Sequence, residues 1–240
     1  MEISSESWDR LIRDGIKEFG IQLDSSGIKK ISLHAGELIQ WNRKINLTAI
    51  HDPFEMAVKH FIDSIAAAKY IKPDDSIIDI GSGGGFPGIP LAVIYPSLSV
   101  TLIDASRKKV SFLKHTIRTL KLKNISVYQT RAEEAGKDDR FKGSFDVVIS
   151  RAVFTLKKLL SIALPLVSEK GIIIAMKGKK NNEHKELPEA MEQLRDWQNE
   201  NLKRSFRYSV ERYRLRQINA ERSLFLFDVS SLVHNVSHHQ

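Results

Sequence analysis

The chain of 240 residues has 42% apolar residues, 28% charged ones and no cysteine, which is enough to bury the core of one α/β domain. The missing cysteine excludes disulfides, thiolate metal sites and a whole class of nucleophiles. A formal net charge of +8 suits a polyanionic partner without requiring one, and the basic residues gather in the second half, in SRKK (106–109), KLK (121–123), KGKK (177–180), NLKRSFR (201–207) and ERYRLRQ (211–217).

The opening MEISSESWDR is polar and acidic where a secretion signal would be basic and then apolar. The longest apolar run, LLSIALPLV (159–167), is too short to span a bilayer, so a cytoplasmic protein with no membrane segment is expected. Residues 4–44 carry apolar positions at helical spacing, Trp8, Leu11, Ile12, Ile16 and Phe19, then Ile31, Leu38, Trp41 and Ile45, which predicts two amphipathic helices. A third helix is predicted over 54–71, between Pro53 and Pro73. No linker or repeat interrupts the chain. The expected organisation is an N-terminal helical extension over 1–72 packed on a core over 73–230, with a frayed tail over 231–240 whose HNVSHHQ is not read as a metal site.

From residue 76 the pattern changes. Short apolar runs alternate with helical stretches: SIIDI, VTLIDA, ISVYQT, FDVVIS and GIIIAMK, the last followed by a polar helix over about 182–203. Strands apolar on both faces and separated by helices predict a parallel sheet covered on both sides. FRYSVERYRL and SLFLFDV have no helix between them and read as an antiparallel pair. Five βα units closed by a hairpin is the order of a class I methyltransferase core, an α/β Rossmann-like fold with a mostly parallel seven-stranded sheet.

The loop in SIIDIGSGGGFPGIPLAV (76–93) follows the first strand and opens a helix. Gly83, Gly85 and Gly88 satisfy the dinucleotide pattern G-x-G-x-x-G, whereas Asp79, Gly81, Gly83 and Gly85 satisfy the S-adenosylmethionine pattern D-x-G-x-G-x-G. Charge separates the two. A carboxylate about 5 Å from a pyrophosphate would oppose it by roughly 3 kcal/mol, and the same carboxylate would favour a sulfonium. Asp79 is therefore expected at the mouth of the turn, facing the cofactor. Asp104 ends the second strand where an acidic side chain takes an adenosine ribose, although acidic residues are common at strand ends. Ala132 and Glu133 stand where an adenine edge would be lined, or in an ordinary acidic first turn of a helix.

The nucleophile follows from what is missing. Attack by C5 of a pyrimidine normally needs a cysteine, and exocyclic amines are usually met by an Asn/Asp-Pro-Pro-aromatic tetrapeptide where this chain has ISRAVF. Guanine N7 attacks through a lone pair and needs placement only. A ribose 2′-hydroxyl stays open as an acceptor, with Asp146 and Lys177 as candidates to deprotonate it. A nucleotide-dependent oxidoreductase and a non-enzymatic RNA-binding protein are the remaining alternatives.

With the glycine loop, SRAV after the fourth strand, and WNRKINLTAI and HFIDS ahead of the core, the chain resembles the RsmG family (glucose-inhibited division protein B) over about residues 35–180. That family consists of guanine-N7 methyltransferases of small-subunit (16S) ribosomal RNA. The resemblance implies contacts with S-adenosylmethionine at Gly81, Phe86, Ala132, Glu133 and Arg151, and a ribosomal RNA or small-subunit partner. A monomer without a metal is expected. Arg151, otherwise an ordinary ion-pairing residue, is expected to face the reaction pocket and position a reactant. His60 reads as a hydrogen-bonded core histidine, and Trp41 and Leu47 as packing residues of an inter-helix turn. RNA phosphates would meet Lys177, Lys179, Lys180, Arg204, Arg207, Arg212 and Arg214 or a subset of them, unless these form solvated helix faces, and Arg43 and Asn46 would reach RNA or the pocket mouth.

Overall fold

The structure is a computed structural model in which residues 1–178, 183–200 and 204–231 are described. Two helices open the chain, α1 (Glu6–Lys17) and α2 (Ser25–Asn42), each started by a side chain that satisfies an orphan backbone N–H. Ser5 accepts from the Trp8 amide, and Asp24 accepts from the Gly27 amide at 2.7 Å. Trp8, Ile12 and Ile16 of α1 and Ile31 and Leu38 of α2 are buried, while Leu11, Phe19, Trp41, Ile45 and Leu47 are partly buried against the same cluster. The indole N–H of Trp8 donates to Ser32 at 2.9 Å and joins the two helices through a buried bond.

The third predicted helix is not a uniform α-helix. It starts as α3 (Pro53–Met56), widens to π-helical geometry over Ala57–Ile62, returns as α4 (Asp63–Ile65) and ends in a 3-10 turn at Ala68–Tyr70. π-Turns of this kind cluster at functional sites. Here the Lys59 carbonyl of the widened turn accepts a hydrogen bond from the Arg151 guanidinium at 2.8 Å.

The core alternates as predicted: β1 (Ser76–Ile80), α5 (Gly88–Ile94), β2 (Ser99–Asp104), α6 (Arg107–Thr119), β3 (Ile125–Gln129), α7 (Ala132–Ala135), β4 (Phe145–Arg151), α8 (Leu156–Ala163), β5 (Val167–Gly178), α9 (Glu183–Glu200), β6 (Arg204–Leu215) and β7 (Ala220–Ser231). The seven strands lie in the order β3-β2-β1-β4-β5-β7-β6. All neighbours are parallel except β7, which runs antiparallel between β5 and β6.

Side-chain alternation splits the core into two layers. Ile77 of β1 belongs to the layer shared with α1, α2, the π-helical segment and α6, and Ile78 and Ile80 belong to the layer under α8 and α9. The N-terminal helices thus share one hydrophobic cluster with the sheet. The tail over 232–240, with its histidines, lies outside the described residues, as do Lys179 and Lys180. No helix among the described residues is long and apolar enough to cross a membrane.

Candidate active site

The C-terminal ends of β1, β2, β3 and β4 converge, which is where open parallel sheets leave a crevice. Gly81, Gly83 and Gly85 all have positive φ, at 74°, 55° and 89°, so the loop after β1 needs glycine at alternate positions. It folds back on β2: the amides of Gly81 and Ser82 donate to the Ile103 carbonyl at 2.9 and 3.1 Å, and the Gly83 amide donates to Asp104 at 3.1 Å. Asp104 also accepts from the Ser106 amide at 2.8 Å. These two bonds hold its carboxylate at the rim of a cavity of about 410 Å³ lined by Gly81, Asp104, Ala132 and Glu133 together with Lys109 and Val153. Four of the predicted cofactor contacts are therefore neighbours in space. Glu133 is also bonded to Lys158 of α8 at 2.9 Å, which holds its carboxyl below the ordinary value.

Asp79 is not where it was expected. It is fully buried and lines neither of the cavities described here, because at its position in β1 alternation turns its side chain to the Ile77 side, under α5. One carboxyl oxygen accepts the Gly88 amide at 2.9 Å, and the other has no partner. Burial raises its pKa to about 7, against the smaller opposing effects of the Gly88 amide and of Arg151. A Cβ on Gly88 would lie 2.9 Å from that carboxyl and 2.3 Å from Leu102, so Gly88 serves the close approach of loop and strand. The expected charge at the mouth is a correction: Asp104, not Asp79, presents a carboxylate there. Asp79 instead occupies an amide at the start of α5, one of the donors a phosphate would need.

Phe86 lies in neither lining. Its ring is buried between two imidazoles, His34 at 4.8 Å and His60 at 4.7 Å, both nearly parallel to it and stacked, and the Arg151 guanidinium stands 5.1 Å from its centroid. His34 Nε2 pairs with the Gly84 carbonyl at 2.8 Å, an arrangement in which the ring N–H donates. Burial lowers the pKa of His34 to about 4. Burial and then the positive Arg151 lower that of His60 to about 3. Both rings of the stack are neutral.

A second cavity of about 630 Å³ opens beside Arg151. Arg151 ends β4, and Ala152 takes a left-handed backbone, φ 58°, that turns the chain so that Arg151 and Ala152 line this cavity while Val153 and Phe154 line the first. Arg151 donates to the Lys59 carbonyl and faces Asp63 at 3.4 Å and His60 Nδ1 at 3.2 Å. His60 Nε2 pairs with Thr48 at 2.7 Å, so both ring nitrogens are engaged, as expected of a bonded histidine, although the ring also borders the cavity. Asp63 gathers the remaining groups: the Tyr213 hydroxyl donates to it at 2.8 Å, and Arg222 lies 3.5 Å away. Desolvation and the neighbouring Asp63 charge push the Tyr213 phenol far above its ordinary value.

The model of the family described as "GidB: rRNA small subunit methyltransferase G" matches residues 27–211. The chain belongs to this family. It is 43% identical over 174 residues to the Ribosomal RNA small subunit methyltransferase G of Oceanobacillus iheyensis, covering 72% of this chain and 73% of that one. The protein of the same name from Acetivibrio thermocellus is 42% identical over 186 residues, 77% of each chain. Among solved structures, a SAM dependent methyltransferase from Aquifex aeolicus superposes with a TM-score of 0.53 at 16% identity, over 74% of this chain and 94% of that one. TYW2 from P. horikoshii, solved in complex with MeSAdo, gives 0.54 at 17% identity, over 71% of this chain and 62% of that one. At such identities the two structures speak for the fold alone.

For a member of the GidB family, several site residues escaped sequence reasoning. Asp63, Tyr213, Arg222 and Glu186 all line the Arg151 cavity; Asp63 sits in HFIDS and Tyr213 in the basic stretch ERYRLRQ, and neither was singled out there. The described basic residues proposed for RNA do not share one face. Lys177 is turned inward, its ammonium bonded to the Phe154 carbonyl and to Glu186. Arg43 and Asn46 are exposed at the end of α2 and just after it. By alternation along β6, Arg207 shares a face with Tyr213, whereas Arg212 and Arg214 point to the opposite face. Arg207 pairs with Asp228 at 3.6 Å and Arg214 with Glu221 at 3.4 Å. Arg204 begins β6, and its side chain lies outside the described residues.

Proposed function

We propose that the protein transfers a methyl group from S-adenosylmethionine to N7 of a guanine in small-subunit (16S) ribosomal RNA. The observation that carries this reading is the pair of adjoining cavities that Ala152 divides, one rimmed by Asp104 and the other by Arg151, in a chain of the GidB family. The first fits an adenosine. Its volume is in the ligand range, Asp104 offers acceptors for ribose hydroxyls, Ala132 and Glu133 border the space for a base, and Gly81 borders the same space with the Val153 side chain packed against it. Gly83 and Phe86 act behind that surface: Gly83 by holding Asp104, and Phe86 by fixing the loop through its stack with His34 and His60.

S-adenosylmethionine supplies a methyl group on a sulfonium. The residues of this chain have to hold the acceptor in line, a positioning effect worth roughly 7 to 11 kcal/mol. Arg151 fits that positioning role, anchored by the Lys59 carbonyl and Asp63 with its guanidinium on the cavity. No proton has to be removed from guanine N7, and His60, neutral and bonded at both nitrogens, is not poised to remove one. The ribose 2′-hydroxyl alternative loses its residues. Asp146 bonds Ser76 at the opposite end of β4, roughly 16 Å from Arg151 at about 3.3 Å per residue, and Lys177 is engaged with Glu186.

The test is single-turnover transfer of labelled methyl to small-subunit particles, and separately to naked ribosomal RNA, from cells lacking the protein. Label should appear at N7 of one guanine. Asp104→Ala should weaken S-adenosylmethionine binding at least tenfold, and label on a ribose oxygen would overturn the assignment.

A further inference from the structure

The cavity beside Arg151 is lined by a carboxylate that the proposed reaction leaves unused. Glu186, near the start of α9, lines it with a side chain 23% exposed. One carboxylate oxygen, Oε2, takes the Leu156 amide at 2.9 Å and the Lys177 ammonium at 3.1 Å, and that ammonium also donates to the Phe154 carbonyl. Among the described residues the carboxylate is thus held through one oxygen, which leaves Oε1 for a ligand. The other carboxylate of the lining is saturated: Asp63 receives Tyr213 and faces both Arg151 and Arg222. A ligand N–H entering this cavity therefore has Glu186 Oε1 as an acceptor.

Resting on the methyltransferase reading, we propose that Glu186 determines the choice of base: its Oε1 accepts the N1–H and N2–H₂ edge of a guanine. Guanine presents these two donors side by side, whereas adenine N1 and cytosine N3 are acceptors that would face the carboxylate with no hydrogen between them. N7 lies on another edge of the purine, so a carboxylate at N1 and N2 leaves the attacking lone pair free. A Gln at this position would keep its carbonyl on Leu156 and Lys177 and turn its NH₂ to the cavity, which reverses the preference without emptying the site.

The acceptor guanosine is first mapped with the wild-type protein. Small-subunit particles are then rebuilt with guanosine or 2-aminopurine at that position; the analogue keeps N7 and the N2 amine but lacks N1–H and O6. The readout is the kcat/KM ratio of the two particles for wild type and for Glu186→Gln. Intrinsic N7 reactivity differs between the purines by the same factor for both proteins and cancels. The ratio should fall at least tenfold in the variant, within the discrimination of a base-edge hydrogen-bond contact, while S-adenosylmethionine affinity stays within twofold. A fall of less than tenfold overturns the proposal whatever the absolute rates, and makes Glu186 a tether of α9. If the single variant does not fold, the double variant Lys177→Met, Glu186→Ala, which removes both charges together, is read by the same ratio. Failure of the wild type to bind S-adenosylmethionine would sink the methyltransferase reading instead, which is measured separately by calorimetry.

Discussion

Two aspartates with similar credentials in the sequence do different work. Asp104 reaches the cavity because it ends its strand and is held by two amides of the loops beside it. Asp79 is buried, and its raised pKa has a consequence for stability. The folded state favours the neutral acid, so the unfavourable contribution of Asp79 is absent below the ordinary carboxylate value, grows as pH rises, and is complete above about 7. Asp79→Asn should therefore gain on the wild type by about 2–3 kcal/mol between pH 5 and pH 8, at about 1.4 kcal/mol per pH unit. Urea unfolding at both values checks this, and parallel profiles would refute it. The buried histidines have the opposite sign: with pKa values of about 4 and about 3, His34 and His60 cost stability as pH falls below about 6.5, and His34→Gln should flatten that acid limb. The glycine pattern and Asp104 were legible from sequence because backbone conformation and strand-end position are local. The facing of Asp79 was not, because one residue of strand register reverses it.

The elements that build the site are the ones that depart from regular geometry. A periodic apolar pattern over 54–71 predicts a helix, and periodicity does not distinguish an α-turn from the π-turn that places the Lys59 carbonyl toward Arg151. Ala152 is the matching irregularity just after β4. Its left-handed backbone costs roughly 1–2 kcal/mol for a non-glycine residue, and a β-branched side chain would raise that cost. Ala152→Gly should leave melting and turnover close to wild type. Ala152→Val should lower stability by roughly 2 kcal/mol and reduce kcat more than S-adenosylmethionine affinity, because it disturbs the turn that separates the cavities. Equal activity of the two variants would show that the turn does not set the site. Helix starts follow a simpler rule: Asp24→Ala, removing the cap of α2, should cost about 1 kcal/mol by chemical denaturation.

At the scale of the whole molecule, the chain carries a net charge of +8, and the described arginines of β6 are divided between the two faces of the sheet. If four phosphates are neutralised, log affinity for RNA should fall against log salt with a slope of roughly −3. Arg212→Gln and Arg214→Gln, on one face of β6, should each reduce that slope by about 0.7 if their face meets RNA, and Arg207→Gln on the other face should then leave it unchanged. A slope insensitive to all three would remove β6 from the interface. By itself, the sequence determined the alternation of strands and helices, the glycine loop after β1, the closing antiparallel pair and the family, because strand and helix periods, turn residues and motif spacing are properties of short stretches. Only the tertiary structure decided which carboxylate meets a ligand, and that Asp63 meets Tyr213 and Arg222 across some 150 residues of chain while Glu186 closes the same cavity from α9. Those contacts depend on strand order and side-chain facing, which packing fixes and no local pattern records.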